Sequence, residues 1–308
     1  MIKNLFQLVG FLSMTTFVGI WWRKRQVQRM RQPAPSASSL IHPPIETIQN
    51  GSDHTKQRLI PLTSVPNFRD IGGYPTADGQ TVRYERIYRS SAFDQVTPTD
   101  VATLHEMGIR AVCDVRTQEE QNTNPNQLPD VITVHRIPPH SDDNRWIVLM
   151  RLLFQTGFLE HTFLRDLYMR VMIDENPQVF ARIFSLLADS DNLPLVIHCA
   201  LGKDRTGISI ALLLAVLGVP DTMIVADYAL SNQHYDFFKR TTQQTRAQFR
   251  QIGFADHDFD HLLIADGALI QETLDYIQKR YGSVRQYLID HAGIDPTMLD
   301  ALHQHLLI

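Results

Sequence analysis

Cysteine is nearly absent: Cys113 and Cys199 are the only two in 308 residues. Two thiols so far apart in the chain give neither a disulfide framework nor a cysteine-rich zinc site. An excess of positive charge is missing as well. The formal net charge is −4, and no basic stripe interleaved with aromatics revives the case for a nucleic-acid partner. No internal repeat is found, which excludes a repeat architecture. Long uncharged runs are scarce, with one exception near the start. What remains, 44% hydrophobic and 20% charged, is ordinary globular material, enough for one large α/β domain and an appendage.

The exception is the stretch of residues 4–22, which carries no charge. At about 1.5 Å per residue it just covers a hydrocarbon core of about 30 Å. Trp21 and Trp22 sit where interfacial aromatics belong, and Arg23, Lys24, Arg25, Arg29 and Arg31 follow, against Lys3 before the run. This asymmetry predicts a membrane anchor over residues 1–31 with the rest of the chain in the cytoplasm. A cleaved signal peptide would place its charges ahead of the apolar segment. Gln7, Ser13, Thr15 and Thr16 weaken the span and keep an interfacial helix open. Residues 32–59, rich in Pro, Ser and Ala and then polar, read as a flexible linker.

From residue 60 onward apolar runs alternate with helical spacing. Residues 87–90 read as a short strand end. Thr97 is placed to cap a helix with Pro98 at its first position and Asp100 at its third, ending at Gly108. Residues 109–115 and 131–137 read as strands, and 158–173 and 177–188 as helices. Strand–helix–strand order predicts a mostly parallel sheet with helices on both faces.

The most informative stretch is His198-Cys199-Ala200-Leu201-Gly202-Lys203-Asp204-Arg205-Thr206-Gly207. An apolar run, 193–197, leads in and a helical run, 208–217, leads out. A buried strand that ends on cysteine and restarts as a helix makes an anion cradle from successive backbone N–H groups and the helix N-terminus. Dipole and guanidinium both favour a thiolate there, the nucleophile of covalent phosphoryl transfer. Arg205 has the planar fork that grips two phosphoryl oxygens, a geometry lysine lacks. Gly202 and Gly207 allow backbone conformations or close approach that a side chain would obstruct.

This decapeptide resembles the signature loop of the protein tyrosine phosphatase superfamily, and its Lys-Asp pair resembles the bacterial and fungal branch with HCxxGKDRTG. Asn67-Phe68-Arg69-Asp70-Ile71-Gly72-Gly73-Tyr74, Asp78-Gly79 and Tyr88-Arg89-Ser90-Ser91 resemble that family's N-terminal block. Asp227-Tyr228-Ala229-Leu230-Ser231-Asn232 and Tyr281-Gly282-Ser283-Val284 through Leu307 resemble its C-terminal blocks. The likeness runs over residues 60–308 and implies a tyrosine-phosphatase-like catalytic domain. The expected chemistry is hydrolysis of phosphomonoesters, phosphotyrosine first, with no cofactor and no metal.

By that resemblance Cys199 is nucleophile, Arg205 binds the phosphoryl group, and Asp204 is the general acid. The Asp142/Asp143 pair, just past a strand end, is the alternative acid. Thr206 would donate its hydroxyl to the departing sulfur, and His198 would hold the loop. His198, Ala200, Leu201, Gly202, Lys203, Thr206 and Gly207 together form the expected substrate-binding loop. Lys203 would add a second cation beside the phosphate, a hint of phosphoinositides. Ala200, however, stands where the phosphoinositide 3-phosphatase tumour suppressor carries a second lysine. Asp114 and Arg116 match the family's Asp-x-Arg and are either supports of the pocket or a structural ion pair. Arg69, Asp70 and Arg89 read as a structural charge network, and Cys113 as inert core. Aromatics among polar residues over about 228–265 suggest a helical lid. The stretch 256–261, rich in His and Asp, reads as a solvated loop or a helix start and not as a metal site. Lipid hydrolysis and a non-catalytic phospho-ligand binder remain the alternative functions. A catalytic thiolate also favours a reducing compartment.

Overall fold

A computed structural model describes residues 58–140, 161–251 and 262–308. The anchor over 1–31, nearly all of the linker, the Asp142/Asp143 pair and the stretch 256–261 lie outside the described residues. Among the described residues no helix is long and apolar enough to cross a membrane.

Five strands form one sheet: β1 (Arg69–Asp70), β2 (Ile87–Ser90), β3 (Ala111–Asp114), β4 (Thr133–Arg136) and β5 (Leu195–His198). Their order is β1-β2-β5-β3-β4. Only β1 runs antiparallel to its neighbour, so the sheet is mostly parallel as expected. Strand β5, which leads directly into Cys199, is therefore the central one. Side chains alternate across it with the period of two that a strand imposes. Leu195 and Ile197 of β5, with Ala111 and Cys113 of β3, enter the larger apolar cluster. Val196, Val112 and Tyr88 enter the smaller one on the opposite face. The 131–137 strand is shorter than the sequence suggests. As the sheet edge it has little to bury, and Val131 is 69% exposed.

Helix α1 (Pro98–Glu106) covers the smaller cluster through Leu104. Thr97 caps it by accepting from the Asp100 amide, and Gly108, at φ 67°, follows its end. The Asp100 carboxylate in turn accepts from the amides of Thr63 and Ser64, each at 2.8 Å, pinning the incoming chain. Helix α2 (Gln118–Thr123) follows β3 and opens on a capping box made by Thr117 and Glu120. Helix α3 (His161–Asp166) runs into a π-helical segment, Leu167–Asp174. Helices α4 (Pro177–Ala188) and α5 (Asp204–Val216) pack on the larger cluster. Helix α5 buries Thr206 through Leu214 without a break. It is surrounded on every side, which explains why its sequence is apolar all round.

Helices α6 (Asp221–Ala229), α7 (Tyr235–Thr241), α8 (Gln243–Gln251), α9 (Gly267–Tyr281) and α10 (Pro296–Leu306) follow, with a short helix, Val284–Gln286, and a second π-helical segment, Tyr287–His291, between the last two. The end of the chain folds back: Arg83 donates to the Leu307 carbonyl at 2.7 Å, and Thr81 and Ile308 exchange backbone bonds. Phe184 on α4 is fully buried in the larger cluster. Phe184→Ala is expected to cost about 3–5 kcal/mol. Urea unfolding should show a lowered midpoint at unchanged slope; a loss below about 1 kcal/mol would contradict this packing.

Candidate active site

The strand β5 ends at His198, and α5 begins six residues later at Asp204. Lys203 occupies the helix N-cap without a side-chain cap, so no side chain claims the first amides of α5 there. Gly202 makes the turn at φ 66°, and a Cβ on it would lie 2.2 Å from the Ser90 carbonyl oxygen. Conformation and space therefore both demand glycine. Asn67 Nδ2 donates to the Leu201 and Gly202 carbonyls at 3.1 and 3.0 Å. Arg89 Nη2 donates to the Gly202 carbonyl at 2.8 Å. Within a planar trans peptide C=O and N–H point oppositely. Drawing these carbonyls outward turns the Gly202 and Lys203 amides into the loop.

These donors are held by a buried charge cluster. Asp227 accepts from Arg69 Nε at 3.1 Å and Arg89 Nη1 at 2.6 Å, with all three side chains at most 1% exposed. Tyr74 adds a hydroxyl at 3.2 Å, and Arg69 also bonds Asn67 Oδ1. Burial is the largest influence on the Asp227 carboxyl and would raise its pKa. Arg69 and Arg89 together outweigh it and hold the pKa at about 2. Burial draws the Arg89 guanidinium down to about 10, still charged at neutral pH. The network read from sequence as structural is thus the support of the loop, while Asp70 serves separately, accepting from the Gly72 and Glu85 amides.

Cys199 is 2% exposed. His198, fully buried, is held on both ring nitrogens. Asn126 Oδ1 accepts from Arg116 and from the Phe93 amide, so its Nδ2 is the end that faces Asp114 and His198. Nδ2 reaches His198 Nε2 at 3.1 Å, making Nε2 the acceptor. Nδ1 then carries the proton and donates to the Cys199 carbonyl at 3.2 Å. Burial pulls the His198 pKa down to about 4 against the opposing Asp114 carboxylate. A neutral imidazole, fixed in one tautomer, positions the loop and takes no part as a base. Asp114 and Arg116 form a two-pronged buried ion pair, 2.9 and 2.7 Å, that holds Asn126. Among the described residues they reach the cysteine through Asn126 and His198.

Arg205 is gripped by a residue the sequence reading missed. Glu120 accepts from its Nη1 at 2.6 Å and its Nη2 at 3.0 Å. Burial disfavours the Arg205 charge, but Glu120 and the Cys199 sulfur more than offset it and raise the pKa above the ordinary value. The same Glu120 carboxylate closes the capping box on the Thr117 amide at 2.7 Å. That Thr-x-x-Glu spacing was the only available signal, and it announces a helix start, not a partner 85 residues away.

Asp204 lies at the rim with 29% of its side chain exposed. Its Oδ1 accepts from the Tyr168 hydroxyl at 2.5 Å. The Thr206 hydroxyl is buried with no partner among the described residues, free to meet a sulfur or an oxyanion. Lys203 departs from expectation. Its amine is fully buried, donates to the Leu262 and Ile264 carbonyls at 2.7 and 3.2 Å, and sits 3.0 Å from Asp204 Oδ1. It ties the loop to the chain beyond α8 and is not an exposed second cation for substrate. Helices α7 and α8 fall where the lid was expected, though Phe238 is wholly buried and so part of the aromatic signal is internal packing.

Residues 60–308 match the tyrosine phosphatase family. A triple specificity protein phosphatase, PtpB, of Mycobacterium tuberculosis is 30% identical over 272 residues, covering 78% of this chain and 96% of that protein. A putative tyrosine-protein phosphatase of Cupriavidus necator is 29% identical over 239 residues, covering 77% and 85%. A tyrosine-protein phosphatase of Nostoc commune is 28% identical over 163 residues, covering 52% and 53%.

Two outcomes check the geometry. An unfolded aspartate titrates near 4 and folded Asp227 at about 2. Its stabilisation, about 2 kcal/mol, is complete above the unfolded value and lost as pH falls toward 2. Asp227→Asn should cost about 3–5 kcal/mol at neutral pH, by stranding two buried guanidiniums, with the gap to wild type narrowing in acid. Chemical unfolding from pH 7 to 2 measures it; a gap constant with pH would contradict the assignment. Arg205→Lys should weaken tungstate binding by about 10-fold or more, read by calorimetry; unchanged affinity would remove Arg205 from the anion site.

Proposed function

The chain belongs to the tyrosine phosphatase family, and from that premise we propose that it hydrolyses protein phosphotyrosine through a phosphocysteine intermediate. The observation that carries this reading is one juxtaposition. A buried cysteine ends the central strand, beneath a loop with inward amides, beside an arginine oriented by Glu120 and a partly exposed aspartate.

In the first step the Cys199 sulfur attacks phosphorus opposite the ester oxygen. The P–S bond forms as the P–O bond breaks, and Asp204 gives its proton to the leaving phenolate. Loop amides and the Nε–Nη2 edge of Arg205, oriented by Glu120, take up the charge on the equatorial oxygens. In the second step water attacks phosphorus, Asp204 accepts its proton, and the P–S bond breaks to release inorganic phosphate. The Thr206 hydroxyl supports the departing sulfur. A mycobacterial relative named for triple specificity supports acceptance beyond phosphotyrosine. The burial of Lys203 counts against recognition of additional ring phosphates. The uncharged stretch 4–22 with its basic flank supports a further part of the proposal, a membrane tether with the catalytic domain on the cytoplasmic side.

Parallel turnover of a phosphotyrosyl peptide, a phosphoseryl peptide and phosphatidylinositol 3-phosphate tests the assignment. The phosphotyrosyl peptide should be fastest, and Cys199→Ser should fall to background on all three. Residual turnover by that variant would refute the chemistry, and a dominant lipid rate would replace the substrate.

A further inference from the structure

Tyr168 lies outside every motif of the chain, yet it is wholly buried and aimed at the loop. It is the second residue of the π-helical segment Leu167–Asp174, and such segments recur where a side chain must be placed for function. Its hydroxyl donates to Asp204 Oδ1 at 2.5 Å. It also lies 2.7 Å from the Tyr228 hydroxyl. A phenol has one proton, and that of Tyr168 goes to Asp204, so Tyr228 donates to Tyr168. The three groups form a directed chain, Tyr228 to Tyr168 to Asp204, drawn from α6, the π-helix and the first residue of α5. Gly207 makes room for it: a Cβ there would lie 2.6 Å from the Tyr228 ring.

We propose that Tyr168, backed by Tyr228, is the positioning residue that makes Asp204 Oδ2 the proton-bearing oxygen of the general acid. The inference rests on Asp204 acting as the acid. A neutral carboxyl group accepts best on its carbonyl oxygen and carries its proton on the other. A phenol donor fixed on Oδ1, with the Lys203 ammonium 3.0 Å from the same atom, makes Oδ1 the acceptor. The proton is thereby assigned to Oδ2. Successive donors polarise one another, so Tyr228 strengthens the bond that Tyr168 makes. Both phenols are buried, and that burial raises their pKa values well above the ordinary value, so they remain donors at working pH. The chain also resists rotation of the Asp204 carboxyl group, which would otherwise present either oxygen to the cleft.

Leaving-group dependence separates positioning from structural support. An alkyl- or phenol-type leaving group such as tyrosine needs the proton, whereas p-nitrophenolate departs largely without it. The kcat/KM values of Tyr168→Phe, Tyr228→Phe and Asp204→Asn are measured on a phosphotyrosyl peptide and on p-nitrophenyl phosphate. Asp204→Asn should fall much further on the peptide. Tyr168→Phe should shift the ratio between the two substrates in the same direction by about 10-fold, and Tyr228→Phe by less. Iodoacetate alkylation of Cys199 reports whether the loop itself survives. Equal losses on both substrates with intact alkylation would overturn the positioning role. If Tyr168→Phe fails to fold, Tyr228→Phe decides: a ratio shift supports the chain and an unmoved ratio overturns it. Should Asp204→Asn itself show no difference between substrates, the acid assignment fails, and the positioning role fails with it.

Discussion

A carboxylate caught between two buried guanidiniums determines the shape of the site. Asp227 pairs with both Arg69 and Arg89 deep under the loop, and Arg89 turns its Nη2 to the Gly202 carbonyl. The loop cannot relax without leaving the buried Arg89 Nη2 and Asn67 Nδ2 donors unsatisfied, each at a cost of about 1–3 kcal/mol. That penalty keeps two peptide groups turned with their amides inward, a conformation a free loop would abandon to water. Placing α6 against the sheet is therefore a condition of forming the anion cradle.

Two further clamps act on the same loop from other directions. His198 is fixed through Asn126 by the Asp114–Arg116 pair, and its neutral ring bonds the Cys199 carbonyl. Glu120 holds the Arg205 fork while completing the cap of α2. Each clamp starts on a different element, so the loop inherits its rigidity from the sheet, α2 and α6 together. Such preorganised donors need not reorient as charge develops on the phosphoryl oxygens.

The parallel sheet and the helices 98–106 and 177–188 were legible in the sequence, because Pro and Gly mark their ends and periodicity marks their faces. Cys199, Arg205 and Gly202 were legible because their chemistry depends on spacing within ten residues. Glu120, Tyr168 and Asn126 were not, since each reaches the loop from a distant segment and carries no local signature of doing so. Lys203 was misread for a related reason. A lysine beside an anion loop suggests a ligand contact, and only the approach of Leu262 and Ile264 shows where its amine goes. The strand read over 131–137 was overextended because an apolar run does not reveal that, among the described residues, it lies at the edge of the sheet.

A crystal structure of the full chain with bound tungstate tests the central claim most directly. The account predicts the oxyanion seated against the inward amides of residues 200–205 and the Nε–Nη2 edge of Arg205, with Glu120 still on Nη1 and Arg89 still bonded to the Gly202 carbonyl. Tungstate bound elsewhere, or a loop whose Gly202 carbonyl has left Arg89 to turn inward, would contradict it.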